Sequence, residues 1–236
     1  MYEQKKQLLK LLKVFSDNGF SDYLILIGSW AEYMYMAASI LPDYEAVIRT
    51  LDVDFLVKNL RKPNPPMSIL GLAKDEGFFV EEDCLTGVTR LLTTDGFEVE
   101  FLITQKGKGE HAALKTNLGI TAQALRHLEL LNNNTTTVEY LGINVTVPEP
   151  EAFVLHKMII NSERKDKMEK DQLVINRMYK HLDKERFDAL REKLTKKEQK
   201  AVDVYVETII QPMLEEEAAL EKAKQEMATK IKLYVV

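Results

Sequence analysis

Two aspartates, Asp52 and Asp54, stand in the run Leu51-Asp52-Val53-Asp54-Phe55-Leu56-Val57 of this 236-residue chain. Leu51, Val53 and Phe55 alternate with them before the run becomes wholly apolar, which predicts a strand carrying both carboxylates on one face. A second β-rich run, 97–103, places Glu98 and Glu100 together in the same way. Aspartate is depleted in strands and neighbouring like charges repel, so something must offset the arrangement. A divalent cation does so: Mg2+, or Mn2+ in its place, takes oxygen ligands and is held by a few carboxylates together with substrate phosphates. Two such ions about 4 Å apart stabilise the attacking and leaving oxygens of an in-line displacement. The rival reading is a solvated strand edge. Apolar residues interleaved with Asp52 and Asp54 argue against it there. For Glu98 and Glu100 it stays open, and Glu100 is preferred as third acid because Phe101-Leu102 follows it as Phe55-Leu56 follows Asp54.

A second group of residues suits phosphate. The apolar run Leu24-Ile25-Leu26-Ile27 ends in Gly28-Ser29, and Trp30 to Ser39 then lacks Gly and Pro, which reads as strand, tight turn and helix. Glycine lets the backbone approach a ligand, the following helix turns its first N–H groups toward an anion, and Ser29 adds a hydroxyl. Such a junction is common, and its weight comes from the acidic strand downstream.

The elements that must position these groups follow from spacing. Leu8, Leu11, Leu12 and Phe15 give an amphipathic helix over 3–15, ended by Asn18-Gly19. Pro63, Pro65 and Pro66 make 62–66 a loop, and a short helix runs over 68–76 to Gly77. Hairpins are predicted for 88–93 with 97–103 and for 136–140 with 144–147, the asparagine and threonine run at 132–137 being a loop. Beyond Pro148 helical patterns cover 151–161, 167–181, 184–193, 196–209 and 213–230. The chain therefore divides into a mixed part, 1–148, and a helical part, 149–236.

Composition sets the limits. At 45% hydrophobic and 29% charged residues, the chain is that of an ordinary folded protein rather than a disordered or fibrous one. A formal charge of -5 argues against nonspecific coating of nucleic acid. The single Cys84 excludes an internal disulfide and a cysteine metal site, and reads as inert. The N-terminus is too charged for a signal peptide and no stretch is apolar enough to span a membrane, so a cytoplasmic protein is expected, with no membrane partner.

A hydrophobic strand ending in Gly-Ser, a helix, then a strand with Asp-x-Asp and a third acid on a later strand resembles the DNA polymerase beta-like nucleotidyltransferase superfamily. Within it, Ile48-Arg49-Thr50-Leu51-Asp52-Val53-Asp54-Phe55 is similar to the R-T-x-D-hydrophobic-D-F segment of a bacterial family of predicted nucleotidyltransferases. Gly142 to Glu151 followed by His156-Lys157 resembles its second signature, and Arg164 with Lys170-Asp171 its third. The likeness runs from about Leu24 to Tyr179. It implies an α+β fold, a mixed sheet flanked by helices, followed by a helical domain that completes the nucleotide site. It further implies metal binding and catalysis by Asp52, Asp54 and Glu100, and nucleotide contacts from Gly28, Ser29, Arg49, Lys157, Lys170 and Asp171, with Asp171 fixing one of the lysines. Glu100 stands where many superfamily members have Asp. The spacing from Ser29 to Asp52 exceeds that of minimal members, which implies an insertion around Leu41 to Val47.

The expected reaction is transfer of a nucleoside monophosphate from an NTP to an acceptor hydroxyl with release of pyrophosphate. The acceptor is left open among an RNA end, a protein side chain and a small molecule. The alternative is a non-catalytic module binding a nucleotide or a partner on the same fold, a regulatory component of toxin–antitoxin type. Other groups have plainer readings. His156 is structural. Trp30, Tyr33, Met34 and Tyr35 form core and pocket wall. Lys165, Lys167 and Lys170 suit a solvated face or a phosphate contact equally. Met213, Leu220, Met227 and Ile231 line one helix face, expected to pack within the chain, with a homodimer as the other use.

Overall fold

The apolar stripe Leu8, Leu11, Leu12 and Phe15 is buried along helix α1 (Tyr2–Asp17), which stops where Gly19 takes a left-handed φ of 77°. The computed structural model describes residues 2–46, 50–58, 67–93, 96–105 and 113–234. Arg49, the loop at 62–66 and the turn residues 94–95 lie outside the described residues. The chain forms two compact units, Met1–His156 and Lys157–Val236.

In the first unit the chain runs through β1 (Leu24–Ile27), α2 (Gly28–Ala37), β2 (Asp52–Val57), α3 (Ile69–Asp75), β3 (Phe79–Glu82), β4 (Thr89–Leu92) and β5 (Glu98–Thr104). It continues through β6 (Ala113–Lys115), β7 (Thr121–Leu125), α4 (Leu128–Asn133), β8 (Thr135–Tyr140) and β9 (Ile143–Pro148). Strands β1, β2, β5, β4 and β3 lie side by side in that order, β7 also pairs with β5, and β6 with β7. β2 and β5 are parallel, and β1 and β4 flank them antiparallel. β8 and β9 form a separate hairpin. This is the expected mixed α+β domain, followed by a helical region.

Alternation along β2 decides what each face does. Val53, Phe55 and Val57 are buried, and the Phe15 ring of α1 meets Phe55 edge-on at 5.3 Å. Trp30 of α2 meets Phe97 at 6.3 Å on the same side. The other face carries Asp52, Asp54 and then Leu56. Leu56 is buried with Ile25, Ile27 and Leu102 against Leu128 and Leu131 of α4. One face of the sheet is thus covered at its far end and carries carboxylates where β2 and β5 begin. Tyr35 fastens α2 to the second hairpin by donating to the Pro148 carbonyl at 2.9 Å. The stretch after α2 packs as well: Leu41 and Tyr44 are buried and the Tyr44 hydroxyl donates to the Glu32 carboxylate.

Helix α5 (Pro150–Asn161) spans the boundary between the units. The second unit contains α6 (Met168–Tyr179), α7 (Lys184–Arg191), α8 (Lys196–Tyr205) and α9 (Gln211–Tyr234). Asp183 caps α7, and a Thr195–Glu198 capping box starts α8. Between α8 and α9 the backbone widens into a π turn, Val206–Ile210, just before Pro212, which has no N–H to give and whose ring crowds the preceding turn. No described helix is long and apolar enough to cross a membrane.

The structure departs from the sequence reading in several places. Asn132 and Asn133 close helix α4 rather than belonging to a loop, and Thr135 to Thr137 open β8, because burying Leu128 and Leu131 outweighs the turn preference of asparagine. β3, β6 and β7 are additional strands; Phe79-Val80-Glu81-Glu82 is exposed at every position and so lacks a period of two. Leu220 and Met227 of α9 are 56% and 68% exposed rather than packed within the chain, since charged residues surround them along the helix.

Candidate functional site

Parallel pairing brings the two acidic runs into step: Asp52 lies opposite Glu98 and Asp54 opposite Glu100. In a parallel ladder partners in register point to the same face, so all four carboxylates share the sheet face left open at the start of β2 and β5. Asp52 is exposed, while Asp54, Glu98 and Glu100 are half-buried. The start of β2 is pinned from three sides. The Trp30 indole N–H donates to the Asp52 carbonyl at 3.0 Å. The Thr50 hydroxyl donates to Asp52 Oδ2 and accepts from the Asp52 N–H, each at 3.2 Å. Gln4 Nε2 donates to the Thr50 carbonyl at 3.2 Å.

The strand-to-helix junction reaches the same place from β1. Ile27 pairs with Asp54, and Gly28, the next residue, opens α2 with φ 66°. A Cβ built on Gly28 would stand 2.2 Å from Asp54 Oδ2. Any Cβ here would push that carboxylate out of its position, and L side chains rarely adopt this φ without strain. Gly28 and Asp54 are therefore in direct apposition. Ser29 follows in the first turn of α2, half-buried, where the helix presents N–H groups that lack intrahelical acceptors.

One residue the sequence reading passed over completes this face. Arg90 of β4 lies opposite Glu100, and its guanidinium forks across the strand to Glu98 at 3.1 Å and Glu100 at 3.3 Å. β4 flanks β5 on the side away from β2, so Arg90 engages both glutamates from that side. Burial holds the Glu98 carboxyl above its usual range, the Arg90 charge opposing and those of Glu100 and Asp52 adding to the rise. The signal was in the hairpin itself: counting pairs back from its turn sets Leu92 against Glu98 and Arg90 against Glu100. Arg90→Ala should lower stability by about 1 kcal/mol at low salt, with part of the loss recovered at high salt because repulsion among exposed carboxylates is screened. Urea unfolding at two salt concentrations measures it.

The donor chemistry at the start of β2 fits a hard divalent cation, since Asp52 and Asp54 offer carboxylate oxygens on one face beside a glycine turn. Among the described residues no three His, Cys, Asp or Glu side chains gather closely enough to hold a metal ion. Glu98 and Glu100 each also pair with Arg90.

The second unit gathers residues of two separate sequence signatures. Asp171, 2% exposed, accepts a hydrogen bond from Lys157 Nζ on Oδ1 at 2.5 Å, and Arg164 Nη1 forms an ion pair 3.3 Å from Oδ2. Lys157 and Asp171 are both largely withdrawn from water, whereas Arg164 is the more exposed cation. Lys170, next in sequence to Asp171, is exposed and forms no ion pair among the described residues. Lys157→Ala would leave the buried Asp171 with Arg164 alone. A loss of about 2–3 kcal/mol is expected in urea unfolding, toward the lower end for a broken buried pair because one cation remains.

The nucleotidyltransferase family profile matches residues 6–203. The chain belongs to this nucleotidyltransferase family. No curated protein matches the sequence significantly. Among solved structures, the chain is similar to an antigenic nucleotidyltransferase-like protein from Paracoccidioides brasiliensis, with 14% identity, 78% of this chain and 79% of that one covered, and a TM-score of 0.45. It is similar also to ANT(2'')-Ia in complex with adenylyl-2''-tobramycin, at 13% identity, 80% and 96% coverage and a TM-score of 0.45. The solution structure of the antibiotic-resistance factor ANT(2'')-Ia matches at 11% identity, 94% and 99% coverage and a TM-score of 0.39. The family assignment rests on the profile match.

Proposed function

We propose that this nucleotidyltransferase moves a nucleoside monophosphate from an NTP to an acceptor hydroxyl, releasing pyrophosphate, with Mg2+ or Mn2+ bound at Asp52 and Asp54. The observation that carries the reading is the apposition of Gly28 and the Asp54 carboxylate, which puts a glycine turn at a helix N-terminus directly beside an acid of the Asp-x-Asp strand. A divalent cation bound there supplies neutralisation of charge on the triphosphate. The protein's own part is positioning. Gly28 leaves the space that the Asp54 carboxylate takes beside the turn, Ser29 and the first N–H groups of α2 donate to the triphosphate oxygens, and Thr50 with Trp30 hold Asp52. Glu100, level with Asp54 in the sheet, accepts the proton of the attacking hydroxyl. Arg90 keeps Glu98 and Glu100 extended on this face.

Arg49, Lys157, Lys170 and Asp171 are proposed nucleotide contacts on the strength of the signatures they belong to. Two cations, Lys157 and Arg164, meet at Asp171. The Lys157→Ala variant tests this separately from stability: NTP affinity should fall while metal affinity holds, and an unchanged NTP affinity would remove Lys157 from the site.

The acceptor is proposed as an RNA end, a protein hydroxyl or a small hydroxylated molecule. Pyrophosphate release from each NTP, measured with Mg2+ and each acceptor class in turn, tests the reaction. Release that depends on one class identifies the acceptor. The engagement of Glu100 by Arg90 favours a second reading, a module that binds nucleotide or partner without turnover, and nucleotide binding without release under any condition would select it.

A further inference from the structure

Arg90 divides its guanidinium between two glutamates, with Nη1 on Glu98 Oε1 at 3.1 Å and Nη2 on Glu100 Oε1 at 3.3 Å. The pairing of β2, β5, β4 and β3 sets Asp52, Asp54, Glu98, Glu100 and Glu81 on one sheet face, with Glu100 and Glu81 opposite Arg90 on either side. Arg90 is the only cation in those four strands. It is also the group already paired with Glu100, which lies level with Asp54 on the neighbouring strand. Neighbouring strands stand about 4.8 Å apart, close enough for two carboxylates to draw on one ion.

We propose that Arg90 competes with a divalent cation for Glu100. The proposal rests on the metal reading of Asp52 and Asp54, and it makes Arg90 a positioning residue that acts through Glu100. A guanidinium on one oxygen of that carboxylate and an ion on the other would hold two positive charges a few ångströms apart, and their repulsion falls on the weaker contact. Arg90 is equipped to yield. Nη1 stays on Glu98 when Nη2 lets go, and a side chain 43% exposed gives the freed N–H groups water. Glu98 is then the residue that keeps Arg90 on the sheet while Glu100 turns toward Asp54.

Mn2+ affinity of the full chain, read from the electron paramagnetic resonance of the free ion at 0.15 M salt, tests this without any reliance on turnover. Arg90→Gln should tighten Mn2+ binding about fivefold, the worth of one partly exposed ion pair. A field that Arg90 exerts on the ion through space is screened at this salt and does not need Glu100. In the Glu100→Gln background, therefore, adding Arg90→Gln should change the affinity twofold or less. Unchanged or weaker Mn2+ binding by Arg90→Gln overturns the proposal, and so does a gain of the same size in both backgrounds. Mn2+ binding that is lost in Asp52→Ala/Asp54→Ala but indifferent to Arg90 leaves the metal reading standing and removes this one alone. Absence of binding by wild type and Arg90→Gln at about 10 mM Mn2+ overturns both.

Discussion

Asp52→Ala combined with Asp54→Ala is expected to lower Mg2+-dependent nucleotidyl transfer by about 10³-fold or more, with no loss of folding stability. Both side chains lie on the open part of the sheet, Asp52 exposed and Asp54 half-buried, so neither contributes apolar area to the core. Their removal also thins a row of like charges in which Asp52 faces Glu98 and Asp54 faces Glu100 across the ladder, which offsets the loss of the exposed Thr50–Asp52 hydrogen bond. The two readouts separate two accounts. Activity lost with the urea midpoint held or raised means the aspartates are chemical. Unfolding of the double variant means that they belong to a structural network, and retained activity means that the reaction does not use them.

Gly28→Ala should be nearly as damaging to transfer and for a different reason. The added methyl would sit 2.2 Å from Asp54 Oδ2, so the carboxylate must turn away, and a displacement on the order of 1 Å at a reacting centre costs about 10²-fold in rate. The left-handed φ of 66° adds about 1 kcal/mol of backbone strain. Gly77→Ala supplies the control. Gly77 has φ 76° with nothing within 4 Å of its Cβ position, so the backbone penalty appears there with activity intact. If the two variants lose the same stability and both keep full activity, the contact between Gly28 and Asp54 has no bearing on transfer.

Much of this geometry is legible in the residues, for reasons that can be stated. The period of two through Leu51 to Phe55 announces β2, and the Gly-Ser pair after four apolar residues announces the turn into α2, because both signals are local. What no local signal carries is register. That Asp54 and Glu100 stand level follows from the pairing of strands far apart in the chain, and only the assembled sheet shows it. Arg90 is intermediate. It sits in a hairpin whose pairing can be counted from its turn, yet a lone arginine on a strand draws less notice than paired carboxylates. Asp171 lies further from local reading still: Lys157, Arg164 and Asp171 come from α5, the segment after it and α6, and folding alone puts two cations on one buried carboxylate. β3 escapes because its side chains are exposed on both faces, so no hydrophobic pattern distinguishes it. α4 escapes because its asparagines favour turns while only two leucines argue for burial.

The most direct test of the metal–nucleotide site is calorimetric titration of a nonhydrolysable NTP into the wild-type chain, with and without Mg2+, and into the Asp52→Ala/Asp54→Ala variant. The account predicts binding that requires both the metal and the two aspartates. Absence of nucleotide binding under any condition, or equal binding without Mg2+ and in the variant, contradicts it.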